Sequence, residues 1–215
     1  MTARTYAFLR ADRAFSLVPV TTRTLAQYRR LTFPDALGVR FALPCNGGRL
    51  LDRGEEDEAW ARETLSLAAP ELPDLREAAK LLAARCPEHE LHEPDPWMVY
   101  AVSGDPAADC AALRGLVNPE SVVTAFDRRK VYLIARSVNK GAAVRRFIRA
   151  YGVGACAAAG DDPLDVPMLC EADYPYPAPE IASLVTGTEA AGIPGEVFSD
   201  RVCAFLEVLS RSGKI

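Results

Sequence analysis

Two short segments of this sequence, about one helix apart, hold most of its chemistry: Asn139-Lys140-Gly141 and Gly160-Asp161-Asp162-Pro163-Leu164-Asp165. Between them runs AAVRRFIRAYGVGACAAA. Its apolar spacing predicts an amphipathic helix that stops at Gly152 and feeds a short strand of small residues. Lys140 then opens a helix, and three carboxylates lie just past the C-terminal end of the next strand. In open α/β sheets that edge is where ligands bind. Clustered aspartates beside a lysine suit a Mg²⁺–phosphate site, with hard oxygen ligands for the metal and a fixed cation for the phosphate. Carboxylates this close repel one another unless a cation intervenes. Capping of the helix at Pro163 accounts for one aspartate, Asp161 or Asp162, but not for three.

A lysine at a helix N-terminus opposes the macrodipole. It is either an exposed side chain with its ammonium in water, or a group paired across the site with an acid or an aspartyl-phosphate. The adjacent Gly141 allows close backbone approach and favours the second reading. Thr21-Thr22-Arg23 directly follows the strand-like FSLVPV, residues 15–20. A hydroxyl and backbone N–H groups there suit a phosphate oxygen, and helix capping by threonine is the competing explanation. Asn46-Gly47 ends another strand, where an amide beside a substrate and a plain tight turn are both open. Trp97, Tyr100 and Tyr132 alternate with aliphatics and read as packing. Arg128 and Arg129 read as a solvated hairpin tip. His89 and His92 have a spacing that suits metal ligation, but the prolines and acids of PEHELHEPDP make a solvated loop the expectation.

The elements that must position these residues follow from periodicity and punctuation. Helices are expected over 2–14, with Thr2 as N-cap, and over 24–30, 55–68, 73–85, 106–116, 179–184 and 196–211, the last a docking helix. Strands are expected over 15–20, 39–43, 49–51 and 97–103, with a hairpin over 121–126 and 130–136. The Pro-rich ADYPYPAPE reads as too donor-poor for a central strand. The βα pattern is interrupted by an α-α-β-α-β-β block. The chain therefore divides into a core, residues 1–51 and 137–215, and an inserted α/β unit, residues 52–136.

With 215 residues, 49% hydrophobic and 25% charged, the sequence has the composition of a soluble globular protein. A net charge of −4 argues against nucleic acid or an anionic membrane as partner. Its apolar runs are strand-length, and no secretory leader is legible. Six scattered cysteines without a C-x-x-C pair imply reduced, mostly buried thiols and a cytoplasmic location.

Together these motifs resemble the haloacid-dehalogenase (HAD) superfamily of phosphohydrolases, in its Cof-type, sucrose-phosphatase and mannosyl-3-phosphoglycerate-phosphatase branch. VPVTTRT resembles the second family motif, with Thr21 at its Thr and Thr22-Arg23 at the usual Gly-Arg. NKGAAV matches the third at Lys140, and GDDPLDVPML resembles the fourth, with Asp161 and Asp165 at its metal-side acids. Asp162 stands where Ser is common, and Leu164 replaces a frequent Asn.

The resemblance implies an α/β fold with a Rossmann-like parallel-sheet core and an inserted α/β cap. It also implies Mg²⁺ as cofactor and phosphomonoester hydrolysis of a small phosphorylated metabolite such as a sugar phosphate. On that pattern Thr21 and Lys140 are catalytic and Asp161, Asp165 and Asp162 are metal-side. Thr22, Arg23, Asn46 and Gly47 face the substrate.

The family's nucleophile, the first Asp of D-x-D-x-T on the first strand, has no counterpart. Only fourteen residues precede Phe15, room for a helix alone. The expectation is a chain that starts one strand late, as a truncation, and is inactive as written. The alternative is a non-catalytic phosphate-ester-binding or regulatory protein. Oligomeric state is not legible.

Overall fold

The computed structural model describes residues 2–11, 15–185 and 197–215. Residues 12–14 of the expected first helix, and Glu196 at the start of the expected last one, lie outside them. The first helix, α1 (Ala3–Arg10), is capped by Thr2, whose hydroxyl accepts from the Thr5 N–H. The C-terminal helix α9 (Phe198–Arg211) docks against it. The Thr5 hydroxyl donates to Asp200 at 2.7 Å and lies 2.9 Å from the Ser199 hydroxyl, which fixes the contact.

The segment 15–20, expected as a strand, makes only one bridge, Val20 parallel to Leu43. Leu43 N–H donates to Pro19 O at 2.8 Å and Thr21 N–H donates to Leu43 O at 3.0 Å. Pro19 has no N–H of its own to extend a ladder. The expected 24–30 helix is a single turn, α2 (Leu25–Tyr28), closed by a reciprocal Thr24–Gln27 capping box. A further one-turn helix, α3 (Phe33–Ala36), follows. The strand expected over 39–43 contracts to β1 (Phe41–Ala42), antiparallel to β2 (Leu51–Asp52), which pairs in turn with β3 (Glu55–Glu56).

Next come α4 (Glu58–Ala68) and α5 (Leu72–Arg85), then β4 (Leu91–Asp95), β5 (Met98–Val102), α6 (Pro106–Arg114), β6 (Val122–Asp127) and β7 (Lys130–Ala135). The four strands form an antiparallel sheet in the order β4-β5-β7-β6. The 121–136 hairpin is present as expected. β4 corrects the loop expected around His92: the edge position and a register break between His92 and Asp95 accommodate Pro94. Helices α5 and α6 pack on this sheet around Leu75, Leu82, Cys110, Leu113 and Leu133. Trp97, Tyr100 and Tyr132 are buried in it, as their alternation predicts. Tyr100 lies opposite Tyr132, and Val102 opposite Lys130. Lys130, Tyr132 and Tyr100 therefore share one sheet face, because side chains two apart point the same way.

Helix α7 (Lys140–Tyr151) starts at the Asn139 cap and ends at Gly152, which is left-handed at φ 63°. Strand β8 (Ala157–Gly160) follows, then a 3₁₀ turn over Pro163–Asp165 and α8 (Val166–Glu171). The Pro-rich stretch forms a strand after all, β9 (Tyr174–Pro177), parallel to β8. The N–H groups of Tyr174 and Ala178 donate to Cys156 O and Gly160 O. Pro175 and Pro177 sit at the alternate positions, on the outer edge, where no donor is needed. The result is an α/β molecule with parallel pairings at Val20–Leu43 and between β8 and β9. No helix among the described residues is long and apolar enough to cross a membrane.

Candidate functional site

The structure brings most of the candidate residues to one rim through a chain of contacts. Thr21 O accepts from Asn46 N–H at 2.9 Å. Asn46 Nδ2 donates to Val138 O at 2.9 Å, two residues before Lys140. Gly47, left-handed at φ 87°, lies against α7, where an added Cβ would stand 2.3 Å from Ala143 Cβ. From the first residue of α7, Lys140 Nζ reaches Asp165 Oδ1 at 2.5 Å. The Lys140 and Asp165 side chains are 7% and 8% exposed, so this is a buried ion pair. The adverse helix dipole and the loss of water are both offset by a carboxylate held in one place.

Asp165 is fixed from its other side as well. Its Oδ2 accepts from the backbone N–H groups of Asp161 and Asp162, each at 3.1 Å. The turn closes tightly: a Cβ on Gly160 would meet Asp165 Cβ at 2.4 Å. Helix α7 sits equally close to α8, since a Cβ on Gly141 would stand 2.4 Å from Pro167 O. Close approach at Gly141 is thus found as expected. Lys140 is not a solvated lysine.

The other two acids differ from Asp165. Asp162 Oδ1 accepts from Leu164 N–H at 2.8 Å, which caps the 3₁₀ turn. Burial pushes the Asp162 carboxyl up and the Asp165 charge adds to the rise, against the Leu164 N–H and Lys140. The Asp161 side chain is exposed. Among the described residues, no three His, Cys, Asp or Glu side chains stand as a ready metal cage. The acidic trio is therefore one structural acid, one capping acid and one open acid on a single turn.

Thr21 and Thr22 are half-buried and Arg23 is exposed. Thr21 Oγ1 accepts from Arg23 N–H at 3.2 Å. The helix cap is Thr24, so α2 does not draw on Thr21. Asn46 is only 2% exposed, with its backbone left-handed at φ 59°, its Nδ2 spent on Val138 and its Oδ1 unpartnered. The amide expected beside a substrate instead ties the start of the 138–140 segment to the Thr21 loop. Gly47 is likewise buried against α7.

Above the rim stands the face of the antiparallel sheet that carries Tyr100 and Tyr132. Gln27 Nε2 donates to Tyr100 Oη at 3.3 Å. Burial, with the charges of Asp127 and Asp162 adding to it, raises the Tyr132 phenol to about 12. The sequence reading gives Lys130 no role, although Lys-x-Tyr on a strand, set against a tyrosine on its neighbour, marks one shared face. Two surface concavities, beside Leu17 and Phe41 and beside Tyr28 and Val39, hold none of the candidate residues.

No family model and no curated protein matches the chain. Solved structures do. The sugar phosphatase BT4131, described as HAD subclass IIB, superposes with a TM-score of 0.68 at 12% identity, over 100% of this chain and 93% of that one. The fold is that of the haloacid-dehalogenase phosphatases. The sucrose-phosphatase of Synechocystis sp. PCC6803 has a TM-score of 0.58 at 16% identity, covering 92% of this chain and 84% of that one. A haloacid dehalogenase-like hydrolase from B. subtilis gives 0.56 at 15%, over 86% and 87%. The HAD-type α/β architecture that the motifs imply is thus the observed one. The match lies in the path of the backbone, at identities where residue roles do not transfer by themselves.

Proposed function

We propose that this chain binds the phosphate of a small phosphorylated metabolite, with a sugar phosphate as the expected class. It would do so at the rim formed by Thr21, Lys140 and the 160–165 turn, on a framework of Mg²⁺-dependent phosphomonoester hydrolysis. The observation that carries this reading is the buried Lys140–Asp165 pair at the C-terminal end of β8. A fold shared with sugar phosphatases supports it. Residues 52–136 are read as a cap over a core made of residues 1–51 and 137–215.

Mg²⁺ needs only one or two carboxylates and keeps several waters. Asp161 is exposed and Asp162 is buried enough to favour a nearby cation, so these two suit the ion. Asp165, with both oxygens engaged, positions the turn and Lys140 instead. Bound there, Mg²⁺ would supply positive charge to the phosphate oxygens. The Thr21 hydroxyl and the Thr22 N–H are the proposed phosphate donors, with the Arg23 N–H orienting the Thr21 oxygen and the Arg23 guanidinium left to face the substrate. Asn46 and Gly47 are assigned to support of the loop rather than to substrate.

Covalent phosphoryl transfer needs a nucleophile facing the phosphate, and in the resembled family that group is the first Asp of D-x-D-x-T. The sequence contains no D-x-D-x-T, and the acids at the rim already have other duties. The 215 residues are therefore expected to bind phosphate esters without releasing phosphate, and turnover is expected only where a strand bearing that motif is supplied. A role as a non-catalytic phosphate-ester binder fits the same geometry. Four of the six cysteines are buried and all six are free, which suits a reducing, cytoplasmic setting.

Calorimetry with glucose 6-phosphate in the presence and absence of Mg²⁺, beside an assay for released phosphate, tests this reading. Mg²⁺-dependent binding that Asp161→Asn and Asp162→Asn weaken, without turnover, is the expected result. No binding at any Mg²⁺ concentration would remove the site.

A further inference from the structure

The sheet face above the rim carries a positive charge that no salt bridge among the described residues neutralises. Lys130 opens β7 and is half-buried, with its ammonium 4.4 Å from the Tyr100 ring centre. Burial holds its ammonium below the usual lysine range, and the charges of two exposed arginines flanking α2, Arg23 and Arg30, add to that. Among the described residues none of the three forms a salt bridge. The cross-strand neighbour Asp127 attracts Lys130 but is itself exposed at the hairpin tip. A half-buried ammonium without a salt-bridge partner, with two exposed guanidinium groups nearby, is a place where an added anion is favoured.

Tyr132 connects this cluster to the rim. It lies two residues from Lys130 on the same face, and the charges of both Asp162 and Arg23 reach it. Leu164 of the 160–165 turn and Leu25 of α2 pack against the apolar cluster that contains Tyr100 and Tyr132, so this face borders the rim. The Gln27–Tyr100 hydrogen bond holds the two walls together.

Resting on the reading of the rim as a phosphate site, we propose that the ligand carries a second anionic group, a carboxylate or a second phosphate. That group is seated by Lys130 and Arg23 with Arg30 behind them, and the Tyr100 and Tyr132 rings flank the short carbon skeleton between the two anions. Lys130 is then a specificity-determining residue. A monophosphate with a neutral remainder fills only half of the site.

Calorimetry in Mg²⁺ with four probes tests this. Glycerol 3-phosphate and glucose 6-phosphate carry one anion, 3-phosphoglycerate adds a carboxylate, and fructose 1,6-bisphosphate adds a phosphate. At least one doubly anionic probe is expected to bind ten-fold or more tightly than either single one, and which of them does identifies the second group. Lys130→Met is expected to bring the affinities within about two-fold of each other, whereas Lys130→Arg retains the preference. Melting curves of both variants report whether they fold. Equal affinities in the unaltered protein, or a preference that survives Lys130→Met, overturn the proposal and leave the phosphate site standing. Absence of binding by all four probes overturns both.

Discussion

Lys140 occupies a place that a lysine seldom tolerates, buried at the positive end of a helix, and it does so because Asp165 meets it. Removing one partner of such a pair leaves a stranded charge, at a cost of about 3–5 kcal/mol. Lys140→Met is therefore expected to lower unfolding free energy by that order in urea melts. Adding Asp165→Leu should recover part of the loss, which a double-mutant cycle reads directly. Asp109 offers a test with pH. It accepts from Ser103 Oγ at 2.6 Å and from Arg85 Nε at 2.7 Å. The Ser103 hydroxyl first, and then the Arg85 guanidinium, hold its carboxyl below the usual range against some desolvation. A depressed folded value means stability present above the unfolded pKa of about 4, and lost as pH falls through the folded one. Asp109→Asn is expected to cost about 2 kcal/mol at pH 7 and to flatten the loss of stability on acidification below the ordinary carboxylate range. The lysine–acid pairing was legible in the spacing of residues 140 and 160–165. The burial of Asn46 was not, because its partner Val138 lies 92 residues away in sequence.

Elements with strong local signals formed where periodicity put them. Helix α7 has an Asn cap, an apolar stripe through Ala143, Val144 and Phe147, and a left-handed glycine stop. Its neighbours were harder to read because strand pairing is decided by distant chain. The 15–20 segment has strand-forming residues and only one bridge, whereas Tyr174–Pro177 has two prolines and four paired positions. In the second case every proline falls on the outward side of the ladder, a matter of odd and even numbering that composition conceals. The contact between α7 and α8 rests on bare backbone at Gly141, where a methyl group would collide with the Pro167 carbonyl. Gly141→Ala is expected to destabilise by about 1–3 kcal/mol through overpacking, measured by thermal melts. Gly160→Ala should shift Asp165 off Lys140 and weaken phosphate binding more than its effect on stability alone accounts for.

At the scale of the molecule, the segments leading into and out of residues 52–136 are fastened by a small set of contacts. Arg49 donates to Asp95 at 2.6 Å, pairs with Glu56 and lies over the Trp97 ring. Trp97 also lies flush on Gly48, and Glu71 accepts from the Ser137 N–H and hydroxyl. Asp95, with 1% of its side chain exposed, depends on that arginine. Arg49→Ala is expected to cost about 3–5 kcal/mol, and to raise amide exchange in residues 48–57 and 136–139 ahead of β5 and β7. The odd-numbered prolines of β9 bear on a different matter, how the protein behaves in a crowded solution. An outer margin stripped of donors cannot template another chain, so recruitment of a foreign strand is barred on that flank. In this two-stranded sheet an added β-strand peptide is therefore expected to find its berth on the opposite flank, along β8.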